Sequence, residues 1–137
     1  MRVYFDSSAF AKRYLEEPGT AEILAWCERA DELALSVIAI PELISACCRL
    51  RREGRLDDSQ YQGIKRDLLE DIEDALICET DAEVIRHAVR ALEAHPLRGM
   101  DAIHIGAALV CAADVFISAD ARQCQAAAGL GMQVVAL

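Results

Sequence analysis

The 137 residues suffice for one domain with a buried core, and a single domain over 1–137 is expected. Hydrophobic residues make up 54% and aromatics 5%, which predicts an aliphatic, helix-rich core. Fourteen basic against 23 acidic residues give a net charge of −9, which excludes a protein that coats nucleic acid by bulk electrostatics but leaves room for a local basic groove.

Val3-Tyr4-Phe5 is a short apolar strand that Asp6-Ser7-Ser8 ends abruptly, and Ala9 to Glu16 reads as a helix stopping before Pro18-Gly19. Thr20 to Ala30 is a second helix with a broad apolar face of Ile23, Leu24, Trp26 and Cys27, followed by a strand over Leu33–Ser36. Pro41 suits the first position of the next helix, which places Glu42 in a first helical turn. That helix ends in the densest basic cluster of the chain, Arg49, Arg51, Arg52 and Arg55, either a solvated helix end or a nucleic-acid contact.

Leu56-Asp57-Asp58 opens a helix with an apolar stripe of Tyr61, Ile64, Leu68 and Ile72, which is core or a partner surface. Leu76-Ile77-Cys78 reads as an interior strand, and Thr80 with Glu83 has the spacing of a capping box. The helix that follows runs to His95-Pro96 and is expected to bury Val84, Ile85, Ala88, Val89 and Leu92. Gly99 then leads into a small-residue helix through Ala113, with Asp101 in its first turn and few polar positions on any face. Val115-Phe116-Ile117 is an interior strand, Asp120 follows it, a helix runs through Ala128, Gly129–Gly131 turn the chain, and Gln133–Ala136 form a last strand.

Strands alternate with helices and no hairpin signal occurs, so the chain predicts an α/β fold in three layers, with one parallel sheet between two sets of helices. The cysteines at 27, 47, 48, 78, 111 and 124 show no C-x-x-C spacing and lie in apolar or helical settings, as reduced core residues do. No run of about 18 apolar residues and no leader signal occurs, which predicts a soluble, cytoplasmic protein without a membrane segment.

Four acids stand out by position. Asp6 and Asp120 follow buried strands, while Glu42 and Asp101 lie at helix starts, and in a parallel α/β layout both locations fall on one edge of the sheet, where ligands bind. Each taken singly is also explained as a helix cap or a first-turn acid. Together, and without an obvious cationic partner, they would repel one another, and a divalent cation resolves that conflict. Oxygen-only ligands suit Mg²⁺ or Mn²⁺, which can activate a water against a phosphodiester.

The motifs V-Y-F-D-S-S, P-E-L, M-D-A-I-H-I-G-A-A-L and F-I-S-A-D, in this order and spacing over essentially the whole chain, resemble the PIN-domain ribonucleases, and most of all the VapC toxins of toxin–antitoxin pairs. The resemblance implies a five-stranded parallel sheet of order 3-2-1-4-5, Mg²⁺- or Mn²⁺-dependent endoribonuclease activity, a homodimer, and inhibition by a cognate antitoxin. It also implies that Asp6, Glu42, Asp101 and Asp120 form the acidic metal site, with Ser8 and Ser118 supporting it from behind.

Some relatives carry a further acid a few residues after the fourth, whereas Ala121-Arg122-Gln123 follow Asp120 here, which leaves the number of metals open. His104, one helical turn from Asp101, is expected to be packed or supporting rather than a catalytic base. Two alternatives are a receiver-like, Mg²⁺-binding phosphoacceptor domain, which would want paired first acids and a lysine near the last strand, and a PIN-like module that only binds partners. The Tyr61–Ile72 stripe is expected to be surplus to the core and to meet another chain.

Overall fold

Strand β1 (Arg2–Phe5) occupies the middle of a five-stranded parallel sheet in the computed structural model, which describes residues 1–137. β2 (Glu32–Ser36) pairs on one side, with Val3 opposite Leu33, and β4 (Val115–Ser118) on the other, with Val3 opposite Val115 and Phe5 opposite Ile117. β3 (Leu76–Cys78) and β5 (Gln133–Ala136) complete the order 3-2-1-4-5 that the resemblance implies. β3 is therefore an edge strand, not an interior one. Its apolar run reflects helices on both faces, since Leu76 and Cys78 join one core cluster and Ile77 the other.

The period of two along each strand sorts the core into two layers. Val3, Phe5, Leu35, Val115 and Ile117 face α1 (Ser7–Phe10), α2 (Thr20–Arg29), α3 (Ala39–Arg52) and α4 (Asp58–Asp74). Tyr4, Ala34 and Phe116 face α5 (Ala82–Ala94), α6 (Gly99–Val110) and α7 (Ala121–Gly129). No helix is long and apolar enough to cross a membrane.

Local departures from the sequence reading have identifiable causes. The helix expected over Ala9–Glu16 starts at Ser7, because Asp6 caps it by accepting from the Ala9 N–H, and it tightens into a 3-10 turn over Ala11–Arg13. Beyond that turn Arg13 and Tyr14 are drawn to Asp71 of α4: Arg13 Nε lies 2.7 Å from Oδ2 and the Tyr14 hydroxyl donates to the same oxygen at 2.5 Å. α3 begins at Ala39, so Pro41 is third rather than first, a position where its missing N–H still breaks no helical bond. At α5 the cap is Asp81, which accepts from Val84 N–H, and not Thr80.

Two apolar faces exchange roles relative to expectation. Most of the α4 stripe turns inward, with Tyr61 and Leu68 buried, Ile72 packed against the cluster that holds Leu68, and Ile64 half-buried. On α5 only Val84, Ala88 and Ala91 are buried, whereas Ile85, Val89 and Leu92 remain 43%, 46% and 39% exposed. The surplus apolar face lies on α5.

Two stability measurements follow. Asp57 caps α4 in a full capping box with Gln60, so Asp57→Ala should cost about 1 kcal/mol in urea unfolding; an unchanged midpoint would show the cap to be idle. Burial pushes the Asp71 carboxyl up, but hydrogen bonds from Arg13 and Tyr14 outweigh it and hold it below its ordinary value. A carboxyl depressed in the folded state contributes stability above its unfolded pKa and loses it as pH falls through the folded one. The stability gap between the wild type and Asp71→Asn should therefore shrink as pH drops below about 4, and a gap constant down to about pH 2 would refute the linkage.

Candidate active site

Asp6 leaves the end of β1 with its N–H bonded to the Ile117 carbonyl, 3.1 Å away in the neighbouring strand. Its side chain is fully buried and accepts three hydrogen bonds: from Ala9 N–H (2.9 Å) and the Ser8 hydroxyl (2.8 Å) at Oδ1, and from the Ser118 hydroxyl (2.5 Å) at Oδ2. Burial nevertheless raises this carboxyl above its usual pKa, outweighing the three donors. The expected supporting roles of Ser8 and Ser118 correspond to direct contacts with the first acid.

Glu42, in the first turn of α3, is held by a different pair. Its Oε1 accepts from the Ser7 hydroxyl and from His104 Nε2, each at 2.7 Å. Tyr4 OH lies 2.9 Å from the other ring nitrogen, Nδ1. Burial pushes the Tyr4 hydroxyl far above its normal pKa, so it stays protonated and donates to Nδ1, which puts the ring proton on Nε2, facing the carboxylate. Burial alone would push Glu42 up, but the bonds from His104 and Ser7 reverse the sign and hold its pKa below the usual value.

Asp101 is the third residue of α6, where Oδ2 accepts from Arg98 N–H at 3.2 Å and Oδ1 from the Gln123 amide nitrogen at 3.2 Å. Asp120 caps α7, its Oδ1 accepting from the N–H groups of Arg122 (2.8 Å) and Gln123 (3.3 Å). Its own N–H donates to Ser118 Oγ at 2.9 Å. The capping roles open to Asp6, Asp101 and Asp120 in isolation are thus real, whereas Glu42 caps nothing and bonds only Ser7 and His104.

A closed circuit results. Asp6 connects through Ser118 to Asp120, Asp120 through Gln123 to Asp101, Asp101 along one helical turn to His104 and so to Glu42, and Glu42 through Ser7 back to the residue beside Asp6. None of the four acids has a lysine or arginine within 4.0 Å, and the one basic ring among their partners is His104, whose Nε2–H donates to Glu42. An all-oxygen set without cationic partners fits a hard divalent cation. No three His, Cys, Asp or Glu side chains stand close enough together to hold a metal ion by themselves, so an ion bound there would have to keep much of its water, as Mg²⁺ can.

The basic cluster is partly spent. Arg51 bonds Asp58 at 2.7 Å and stacks over the Tyr61 ring at 4.5 Å, and Arg55 pairs with Glu53 at 3.6 Å. Arg49 and Arg52 have no carboxylate within ion-pair distance. They lie on the same helix as Glu42, about 10–15 Å along its axis.

Sequence reasoning missed Ser7, Tyr4 and Gln123. Gln123 had a visible signal, because Asp120-x-x-Gln123 has capping-box spacing, yet its side chain reaches Asp101 instead of turning back to the cap.

Comparison with known proteins gives a consistent picture. The family described as PIN domain matches residues 3–129. The ribonucleases VapC45 and VapC49 of Mycobacterium tuberculosis are each 35% identical over 107 residues, covering 78% of this chain and 74% of theirs. Among solved structures, M. tuberculosis VapC20, a sarcin-ricin loop cleaving toxin, superposes with a TM-score of 0.71 at 14% identity, covering 98% of this chain and 99% of that one. FitAcB from Neisseria gonorrhoeae also reaches 0.71, at 15% identity and 96% and 95% coverage. VapBC2 from Rickettsia felis, bound to a DNA fragment of its promoter, reaches 0.71 at 11% identity, with 100% and 99% coverage.

Proposed function

This chain belongs to the PIN-domain family as a VapC-like ribonuclease toxin, and we propose that it hydrolyses RNA phosphodiester bonds in the cytoplasm with Mg²⁺ or Mn²⁺ held by Asp6, Glu42, Asp101 and Asp120. The observation that carries the metal assignment is the closed circuit of four acids without a lysine or arginine partner. A cation bound there would polarise a phosphoryl oxygen and lower the pKa of a water for attack. The chain's own part is orientation. Ser8 and Ser118 fix the two oxygens of Asp6, and Ser7 with His104 fixes one oxygen of Glu42, which leaves its other oxygen free for a ligand. Incubation of purified protein with total RNA and Mg²⁺, with end-mapping of fragments, tests the activity, and EDTA-insensitive cleavage would overturn the metal assignment.

The receiver-like alternative fails on the family match and on its lysine, since Lys12 is paired with Glu17 and Lys65 lies on α4. A module that only binds partners has no reason to keep all four acids linked.

Arg49 and Arg52 are the unpaired members of the basic cluster and the expected contacts to RNA phosphates. Replacing both with Ala should weaken RNA binding and reduce the slope of log K against log salt by roughly 1–2, leaving Mn²⁺ affinity unchanged. An unaltered slope would return them to a solvated helix end.

The exposed face of Ile85, Val89 and Leu92 continues through Met100 into a groove that also contains Glu42 and Asp101. We assign the α5 part of this face to a second copy of the chain in a two-fold dimer. The acidic end of the groove then suits an antitoxin segment that lays apolar side chains along it and sends an arginine toward the carboxylates, in competition with the metal. Val89→Glu should convert the free protein from dimer to monomer in sedimentation, and a wild type that is already monomeric would refute the dimer. A peptide of the cognate antitoxin should inhibit less once that arginine is changed to Ala.

A further inference from the structure

Cys111 closes the C-terminal end of α6 and Cys78 ends β3, and both pack into the core layer between the sheet and α5–α6. Their thiols are hydrogen-bonded to each other: Cys78 S–H donates to the sulfur of Cys111, and Cys111 Sγ in turn lies 3.5 Å from the Ala108 carbonyl oxygen. The two differ in surroundings. Cys78 is buried, whereas Cys111 is half-buried. Arg2 reaches across from β1, with Nε 2.6 Å from Glu32 Oε2 and Nη1 donating to the Cys111 carbonyl. The negative end of a helix opposes a thiolate, and a guanidinium at that carbonyl offsets it. The hydrogen bond from Cys78, helped by the charge of Arg2, holds the Cys111 thiol below its ordinary pKa against burial, while the same hydrogen bond and burial push Cys78 up. The other four cysteines are not so placed. Cys47 and Cys48 are successive on α3 and diverge, and Cys27 and Cys124 lie on helices at opposite faces of the sheet.

We propose that Cys111 and Cys78 form an oxidation site for hydroperoxides, in which Cys111 is the thiol that attacks and Cys78 the thiol that resolves. The Cys111 thiolate attacks one oxygen of hydrogen peroxide, an S–O bond forms as the O–O bond breaks, and the departing hydroxide takes up a proton as water. Cys111 is then a sulfenic acid. Cys78, already in contact with that sulfur, attacks it in turn; the S–O bond breaks, the hydroxyl leaves with the Cys78 proton as a second water, and a disulfide remains. Two electrons pass from the thiol pair to the peroxide. The pairing of a half-buried thiol beside a cation with a buried partner in contact suits this order of events, since attack needs access and thiolate character while resolution needs only proximity. The disulfide ties edge strand β3 to the end of α6 and encloses α5 and α6 in one covalent loop. None of the four acids takes part in this chemistry.

The test is titration of the full-length protein, reduced and freed of reductant, with hydrogen peroxide, followed by alkylation of the remaining thiols and peptide mapping. At about one equivalent, two of the six thiols should be lost together, and the map should join Cys78 to Cys111 in a bond that dithiothreitol reverses. In Cys78→Ser the same dose should leave Cys111 as a sulfenic acid that dimedone traps. In Cys111→Ser, Cys78 should stay reduced, because the attacking thiol is gone. A disulfide that joins any other pair overturns the proposal, and so does a Cys111 that passes to the sulfinic acid in the wild type without forming a crosslink. Trapping of the sulfenic acid on Cys78 rather than Cys111 would reverse the two roles and refute the order of attack. If either Ser variant does not fold, the wild-type map, with dimedone added during the titration, decides alone.

Discussion

Asp6→Asn should lose about two orders of magnitude or more of RNA cleavage, the scale of removing one charged group from a reacting centre, while the metal-free protein melts no lower than the wild type. The second half of this expectation comes from burial. The fold disfavours ionised Asp6, as the upward shift of its pKa shows, so a neutral amide of the same shape removes a cost. The donors around it can adapt: Ala9 N–H keeps an oxygen acceptor, and the Ser118 hydroxyl can rotate to accept from the new amide while still receiving the Asp120 N–H. Asp101→Asn should lose cleavage to a similar extent. Full Mg²⁺-dependent activity in either variant would remove that acid from the site, and a collapse in melting temperature for Asp6→Asn would mean that its charge is structural.

Gly106→Ala should cost about 3 kcal/mol, or roughly 10 °C in melting temperature. α5 and α6 pack so closely at this point that a Cβ on residue 106 would stand 2.5 Å from the Val84 carbonyl oxygen and 3.3 Å from Ala88 N. Both obstacles are backbone, so no side chain can swing aside and the helices must separate. Such a separation moves α6, which carries Asp101 and His104, so activity should fall at temperatures where the variant is still folded. A loss below about 1 kcal/mol in thermal unfolding followed by circular dichroism would show that the two helices part freely.

The fold was legible because its strands announce themselves. Val3–Phe5 and Val115–Ile117 are short and wholly apolar, with an acid one residue after the first run and three after the second, a pattern that places interior parallel strands and their ligand edge together. Gly99–Val110 was legible as a buried helix for the same reason, its residues being too small and apolar for an exposed face. The wiring of the site was not legible. Ser7 and Ser8 are adjacent and chemically alike, yet one serves Glu42 and the other Asp6, and only the path of α1 decides which. The reading of α5 went wrong at a definable point: its periodicity shows an apolar stripe, but a stripe carries no information on whether the same chain or another covers it. The α4 stripe looked equivalent and proved to be mostly core.

The central place of β1 has a consequence for how the protein comes into being. The chain's first strand has β4 as a neighbour, residues 115–118, and Asp6 takes one of its three hydrogen bonds from Ser118. During synthesis, therefore, one edge of β1 stays open and the first acid stays incompletely held until residues 115–118 have left the ribosome, even though domains generally begin to fold from their N-terminal side. Asp101 and Asp120 arrive in the same late stretch. A chain made only as far as α4 can assemble α1–α4 on one side of β1 and β2 but still lacks Asp101 and Asp120, two of the four acids of the proposed site.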